Sequence, residues 1–138
     1  GNGMWHSEIN NRPDEPMRFI QMWFYPSKKG LNPSVKQMAV DRKDRTNQFL
    51  LLVSNKGSDG LKIFSDAEVY SSFLQGGHQV SHGIGASRGA YLYVLEGGPV
   101  HVNEKLVSAL GAAKITGELE IDVKAERNAE LLLVDVLL

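Results

Sequence analysis

The chain has 138 residues, 42% of them apolar and 22% charged, with 15 Lys and Arg against 16 Asp and Glu. That is the size and composition of one soluble globular domain, and a net charge of −1 excludes an overall field that would attract nucleic acid or an anionic membrane. The absence of cysteine excludes disulfides, thiolate metal sites and cysteine nucleophiles, and it fits a reducing, cytoplasmic setting.

The chain opens on Gly1 rather than Met, which leads us to expect a piece of a longer protein. Near that start, Trp5-His6-Ser7-Glu8 sets an imidazole and a carboxylate two residues apart. On extended backbone such residues point the same way, so His6 and Glu8 can present a nitrogen and an oxygen to one cation. Fe(II), Ni, Cu and Zn accept mixed ligands of this kind. The same spacing also suits a plain surface pair. Asn10 to Pro16 is a polar loop, Met17 to Tyr25 an apolar strand carrying Trp23, Phe24 and Tyr25, and residues 26–33 a linker. Asp41-Arg42-Lys43-Asp44-Arg45 reads as a solvated loop of mixed charge.

From Phe49 onward, short β-branched and aromatic runs alternate with Gly-rich turns, the pattern of an all-β sandwich or barrel. Ser58-Asp59-Gly60 predicts a hairpin between Phe49–Ser54 and Leu61–Phe64. Val69 to Leu74 is a strand with Val69, Ser71 and Phe73 opposite Tyr70, Ser72 and Leu74. Gly97-Gly98 predicts a second hairpin, between Ala90–Leu95 and Val100–Val102. Val107 to Ala113, interrupted by Gly111, is a turn or strand. Glu118 to Ala125 alternates strictly between charged and apolar residues and is the cleanest strand. Glu130 to Leu138 is nearly all apolar, as in a strand covered on both faces or paired with a partner. No apolar run approaches the roughly 18–20 residues of a membrane helix.

The other histidines carry weaker signals. His78 and His82 are four apart, but the glycines around them argue for a loop pair rather than a metal-binding helix. His101, between Val100 and Val102, is expected to face solvent. No Gly-x-Ser-x-Gly motif is present, and Gly83-Ile84-Gly85-Ala86-Ser87-Arg88-Gly89 departs from a dinucleotide-binding fingerprint.

Gly1-Asn2-Gly3-Met4-Trp5-His6-Ser7-Glu8 resembles the Gly-x-Gly-x-x-His-Ser-Glu element late in the first cupin domain of the pirin family of bicupin proteins. The likeness continues through Met17–Pro26, Ser54–Ile63, Asp66–Tyr70, Ala90–Gly97 and Glu130–Val136. The resemblance implies an all-β, cupin-type jelly-roll β-sandwich (a double-stranded β-helix) with an extra N-terminal strand open to swapping. It also implies three parts: residues 1–30 a remnant of a first cupin, 31–48 a linker and crossing segment, and 49–138 a C-terminal cupin. Family members bind one metal through three histidines and a glutamate, and several are quercetin 2,3-dioxygenases; the eukaryotic ones are iron-dependent transcriptional co-regulators. By motif match, His6 and Glu8 fall on the last two ligand positions, while the His-x-His element supplying the first two has no counterpart here. At Leu110-Gly111-Ala112-Ala113 the chain also departs from a frequent Gly-Asp.

Two ligands are fewer than the three or four that mononuclear sites use. The leading expectation is therefore a pirin-like C-terminal cupin without catalysis by itself, serving as a structural or interaction module. A homodimer, or the missing first-cupin half, is the expected partner, with no nucleic acid or membrane. A second expectation is a metal-dependent, quercetinase-like dioxygenase whose site is completed by another chain or by missing N-terminal residues, with Fe(II) or another divalent transition metal as cofactor. A third is a metal-free small-molecule-binding cupin with a cavity lined by Tyr70, Tyr91 and Tyr93.

Overall fold

The computed structural model describes residues 2–57 and 60–138. Ten strands follow one another: β1 (Leu50–Ser54), β2 (Leu61–Lys62), β3 (Ala67–Leu74), β4 (Gln79–Gly83), β5 (Arg88–Gly97), β6 (Val100–Val102), β7 (Lys105–Val107), β8 (Ala112–Thr116), β9 (Glu120–Ala125) and β10 (Ala129–Leu137). They build a six-stranded sheet ordered β2-β1-β3-β10-β5-β8 and a four-stranded sheet ordered β4-β9-β6-β7. The inner faces of the two sheets enclose the core. Leu92, Val94, Leu131 and Leu133 from the large sheet meet Ile121 and Val123 from the small one, all fully buried.

Period-two alternation explains most of this burial. In β9, Ile121, Val123 and Ala125 are buried while Glu120, Asp122 and Lys124 are exposed. The strand begins two residues later than expected, which leaves Leu119 on the preceding turn, 71% exposed. β10 is the centre of the large sheet, antiparallel to both β3 and β5. Its Leu131 and Leu133 face the core. Leu132 and Val134 face outward and are half-buried, as the two-sided apolar run predicts.

Both expected hairpins are corrected. Leu61 and Lys62 pair parallel with Val53 and Ser54, not antiparallel; Ser58 and Asp59 lie outside the described residues. A Cβ on Gly60 would stand 2.9 Å from the Leu52 carbonyl, so this glycine permits a close backbone crossing. The segments flanking Gly97-Gly98 belong to different sheets and do not pair. Here the glycines turn a corner between layers, and a Cβ on Gly97 would run into the Asn128 carbonyl oxygen. The hairpin that does form joins β6 to β7 through Asn103 and Glu104, both in left-handed backbone at φ 43° and 69°, as a two-residue hairpin turn requires.

The N-terminal region is also corrected. Met17–Tyr25 forms no strand and adds to neither sheet. It lies as a strap beside the outer face of the large sheet: Phe19, Ile20 and Met22 line one cleft with Leu52, Leu95 and Leu132, and residues 20–24 line another with Val53 and Val69. Its apolar residues do not alternate, so no ladder pairing can bury them all on one side. Trp23 and Tyr25 remain 85% and 94% exposed. The Asp41–Arg45 cluster is not a free loop. Arg42–Arg45 form a 3₁₀ turn, and both arginines clasp Glu130 of β10, Arg42 at 3.0 Å while also stacking over Phe73. This clasp ties the segment just before β1 to the central strand of the large sheet.

Candidate functional site

His6 and Glu8 lie outside both sheets, on the segment that precedes the strap. His6 Nε2 and Glu8 Oε1 are 3.1 Å apart, and each side chain is about half exposed. Two ligands bound about 2.0–2.2 Å from one ion, in neighbouring positions, lie roughly 3 Å apart. The pair therefore fits two coordination positions of a divalent transition metal. Both groups open onto a cleft of about 550 Å³ whose remaining lining is Ile20, Gln21, Met22, Trp23 and Phe24 from the strap and Val53, Ile63 and Val69 from the barrel. Among the described residues, no group of three or more His, Cys, Asp and Glu side chains could hold a metal. The pair thus stands beside a largely apolar wall.

Sequence reasoning placed His82 in a loop; the structure places it on β4, facing the barrel interior opposite Ile121. There it forms the centre of a buried polar network that ties the two sheets together. Asp135 of β10, with a side chain only 4% exposed, accepts His82 Nε2 at 2.9 Å and Arg88 Nε at 2.6 Å. Arg88 also donates to the Asp135 carbonyl at 3.2 Å and to Asp66 at 2.7 Å. Burial works against the Arg88 charge, but these carboxylates outweigh it and hold the guanidinium protonated above its ordinary range. The Tyr70 ring packs edge-on against His82 with centroids 4.6 Å apart, and its hydroxyl donates to Glu68 at 2.6 Å. Burial, helped by that hydrogen bond, pushes the Tyr70 phenol far up. The same bond, aided by Lys56, holds the Glu68 carboxyl below its usual range despite its partial burial. One signal of this network was legible: Asp135 interrupts an apolar strand, and a buried carboxylate requires partners.

The remaining candidates separate in space. His78 is exposed, its Nδ1 3.4 Å from the Gly76 carbonyl. His101 faces outward, as expected, pairing with Glu126 at 2.7 Å. Those two line a groove of about 730 Å³ on the small sheet with Asn103, Asp122 and Lys124. It is larger than the His6–Glu8 cleft, but its lining side chains are mostly polar or charged, and the Asp122 carboxylate already accepts from the Ser81 hydroxyl. Tyr70 faces the interior, paired with Leu133. Tyr91 and Tyr93 project from the opposite face of the sheet, paired with Val134 and Leu132. The three tyrosines therefore do not line one cavity. Alternation along β5, whose Ala90, Leu92 and Val94 take the inward positions, forces the other two outward.

Residues 51–136 match the family described as the quercetinase C-terminal cupin domain. The chain is 35% identical to a pirin-like protein of Caulobacter vibrioides over 137 residues, which cover 98% of this chain and 58% of that protein. It is 31% identical to a quercetin 2,3-dioxygenase of Escherichia coli K12, covering 99% of this chain and again 58% of the relative. Among solved structures, the bacterial pirin YhhW from Escherichia coli in complex with nickel(II) superposes with a TM-score of 0.74 at 27% identity, over 81% of this chain and 47% of that one. The chain thus spans about 58% of the length of the curated relatives it matches. Sequence match and two-sheet architecture agree, and the chain belongs to the pirin family, carrying its quercetinase-type C-terminal cupin domain.

Proposed function

We propose that this chain is the C-terminal cupin module of a pirin-like bicupin: a scaffold that contributes His6 and Glu8 to a divalent-metal, dioxygenase-type centre whose other ligands lie outside residues 1–138. In this reading residues 1–30 belong functionally with a first cupin, 31–48 cross over, and 49–138 form the scaffold, in the cytoplasm. The observation that carries the reading is the convergence of one imidazole nitrogen and one carboxylate oxygen to 3.1 Å at the rim of an apolar cleft. The nickel(II) complex of YhhW supports a divalent transition metal, and the name of the Escherichia coli relative supports an oxygen-dependent reaction on a flavonol. Fe(II) is one metal that such a nitrogen and oxygen set accepts. When bound, the ion would supply Lewis acidity at the cleft. His6 and Glu8 hold and orient it, and the barrel walls exclude water on one side.

Completion comes from a second polypeptide segment, either the first-cupin half of a longer protein or a second copy whose own pair meets this one across a two-fold axis. The test is metal binding and quaternary state together. The chain should bind Ni(II) weakly, lose that binding in His6→Ala and Glu8→Ala, and show no oxygen uptake with quercetin by itself. Light scattering with and without Ni(II) reports whether two copies close the site. Ni(II) affinity unchanged by both substitutions, or quercetin turnover by a monomer, overturns the reading.

A further inference from the structure

A separate cleft of about 400 Å³ opens between the strap and the outer face of the large sheet, sharing only Ile20 and Met22 with the His6–Glu8 cleft. We infer that it binds an acyl monocarboxylate: the carboxylate meets Arg18, and the apolar chain, carrying a hydroxyl or keto oxygen along its length, lies across the sheet and meets Ser71. No metal takes part, so the inference stands apart from the reading of His6 and Glu8.

Two β-bulges shape the floor. On β1, Leu51 faces Tyr70 and Val53 faces Val69, so Leu52 is the extra residue. On β5, Val94 faces Leu131 and Glu96 faces Glu130, so Leu95 is the extra residue. A bulge re-aims a side chain, and Leu52 and Leu95 both line the cleft. Between them stand Ser71 and Leu132, direct partners on β3 and β10. The floor therefore crosses four neighbouring strands, roughly 14 Å. Phe19 and Met22 of the strap, 58% and 38% exposed, make an open opposite wall. Arg18 stands at the β5 end. Its guanidinium makes one long hydrogen bond, to the Leu95 carbonyl at 3.4 Å, and no ion pair among the described residues. Glu130 is already held by Arg42 and Arg45. With Glu96 included, three guanidiniums gather with two carboxylates, and the excess positive charge suits an anion. A guanidinium can take a carboxylate through two parallel hydrogen bonds. Ser71 is 8% exposed, and its hydroxyl makes no hydrogen bond among the described residues. A polar atom on an apolar floor calls for a polar partner. Since β10 separates β3 from β5, that partner lies two strand spacings, about 10 Å, from the carboxylate. An apolar cleft of this size with a few polar groups has the character of a small-molecule site.

Isothermal titration of the full chain without metal, using octanoate, butyrate, octanol and 8-hydroxyoctanoate, tests this. Octanoate should bind one-to-one and about tenfold tighter than butyrate, because its added methylenes are partly covered. Arg18→Gln, at an exposed position, should weaken octanoate and 8-hydroxyoctanoate about tenfold and leave octanol unchanged. Phe19→Ser, also exposed, should cut the octanoate-to-butyrate ratio about threefold. 8-Hydroxyoctanoate should bind about threefold tighter than octanoate, and Ser71→Ala should erase that gain. Urea midpoints of the three variants show that each is folded. No octanoate binding, binding unmoved by both Arg18→Gln and Phe19→Ser, or binding that appears only with Ni(II) overturns the proposal. A hydroxyl gain that is absent, or that survives Ser71→Ala, overturns the assignment of Ser71. None of these results bears on whether His6 and Glu8 hold a metal, so the two readings fail separately.

Discussion

Replacing Asp135 by Ala removes the acceptor that joins the two sheets. In the folded protein this carboxylate takes two hydrogen bonds from cationic or potentially cationic donors, Arg88 Nε at 2.6 Å and His82 Nε2 at 2.9 Å, with a side chain 4% exposed. Hydrogen bonds to charged groups contribute about 1.5–3 kcal/mol each, and breaking a buried pair from one side costs about 3–5 kcal/mol because the partner's charge stays behind. Arg88 keeps Asp66 and the Asp135 carbonyl, which places the loss near the lower end, at about 3 kcal/mol. For a chain of this length that is a fall in Tm of about 10–15 °C. Urea unfolding at pH 7 should show a lower midpoint with an unchanged slope. Asp135→Asn keeps the shape but not the charge and should lose about half as much. Asp66→Ala, where the carboxylate is 49% exposed, should lose under about 1 kcal/mol. A double-mutant cycle between Asp135→Ala and His82→Ala should return a coupling of about 0.5–3 kcal/mol. A loss below about 1 kcal/mol for Asp135→Ala, or no coupling to His82, refutes the idea that this cluster clamps the sheets.

Two further outcomes follow from the same geometry. Tyr70→Phe removes the donor that holds the Glu68 carboxyl low. A carboxylate with a depressed folded-state pKa stabilises above its unfolded value of about 4.3 and loses that contribution as pH falls through the lower folded value. The variant should therefore be about 1.5–3 kcal/mol less stable near pH 7, with the gap closing below about pH 4; acid titrations of unfolding midpoints check it, and a constant gap contradicts it. Glu104→Gly, at φ 69° in the β6–β7 turn, relieves a left-handed conformation that side chains disfavour and should raise stability by about 0.5–1 kcal/mol, read from the same urea curves.

The strands were legible where one residue pattern sufficed. β9 announced itself by alternating charge and β10 by an unbroken apolar run, because each pattern reflects which faces are covered. Partnership was not legible. Asp59-Gly60 and Gly97-Gly98 signalled changes of direction, yet a turn signal states only that the chain bends, and at Gly97 it bends from one sheet to the other. The working hairpin hid behind Asn103-Glu104, where Glu is an unusual occupant of a left-handed position. The His6–Glu8 pair was readable from spacing alone, since residues two apart converge on any extended backbone. His82 was not, because its partner lies 53 positions away in the other sheet. Nor could sequence show that the Met17–Tyr25 segment would lie across a sheet instead of joining one; that depends on which edges and faces the rest of the barrel leaves available.

The two polar centres of this chain have opposite designs. In the His82–Asp135–Arg88 network the carboxylate of Asp135 is spent on protein partners, and the cluster faces a packed interior. Groups so engaged can stabilise a fold, but a ligand must displace those bonds to use them, at the cost of unpaired buried charge. In the His6–Glu8 pair the two side chains are half exposed and paired with each other. An exposed imidazole–carboxylate contact is worth little to stability, so breaking it to admit a metal costs little. The clasp of Arg42 and Arg45 on Glu130 belongs to the first design: it ties the segment just before β1 to the central strand of the large sheet with a carboxylate whose side chain is only 15% exposed.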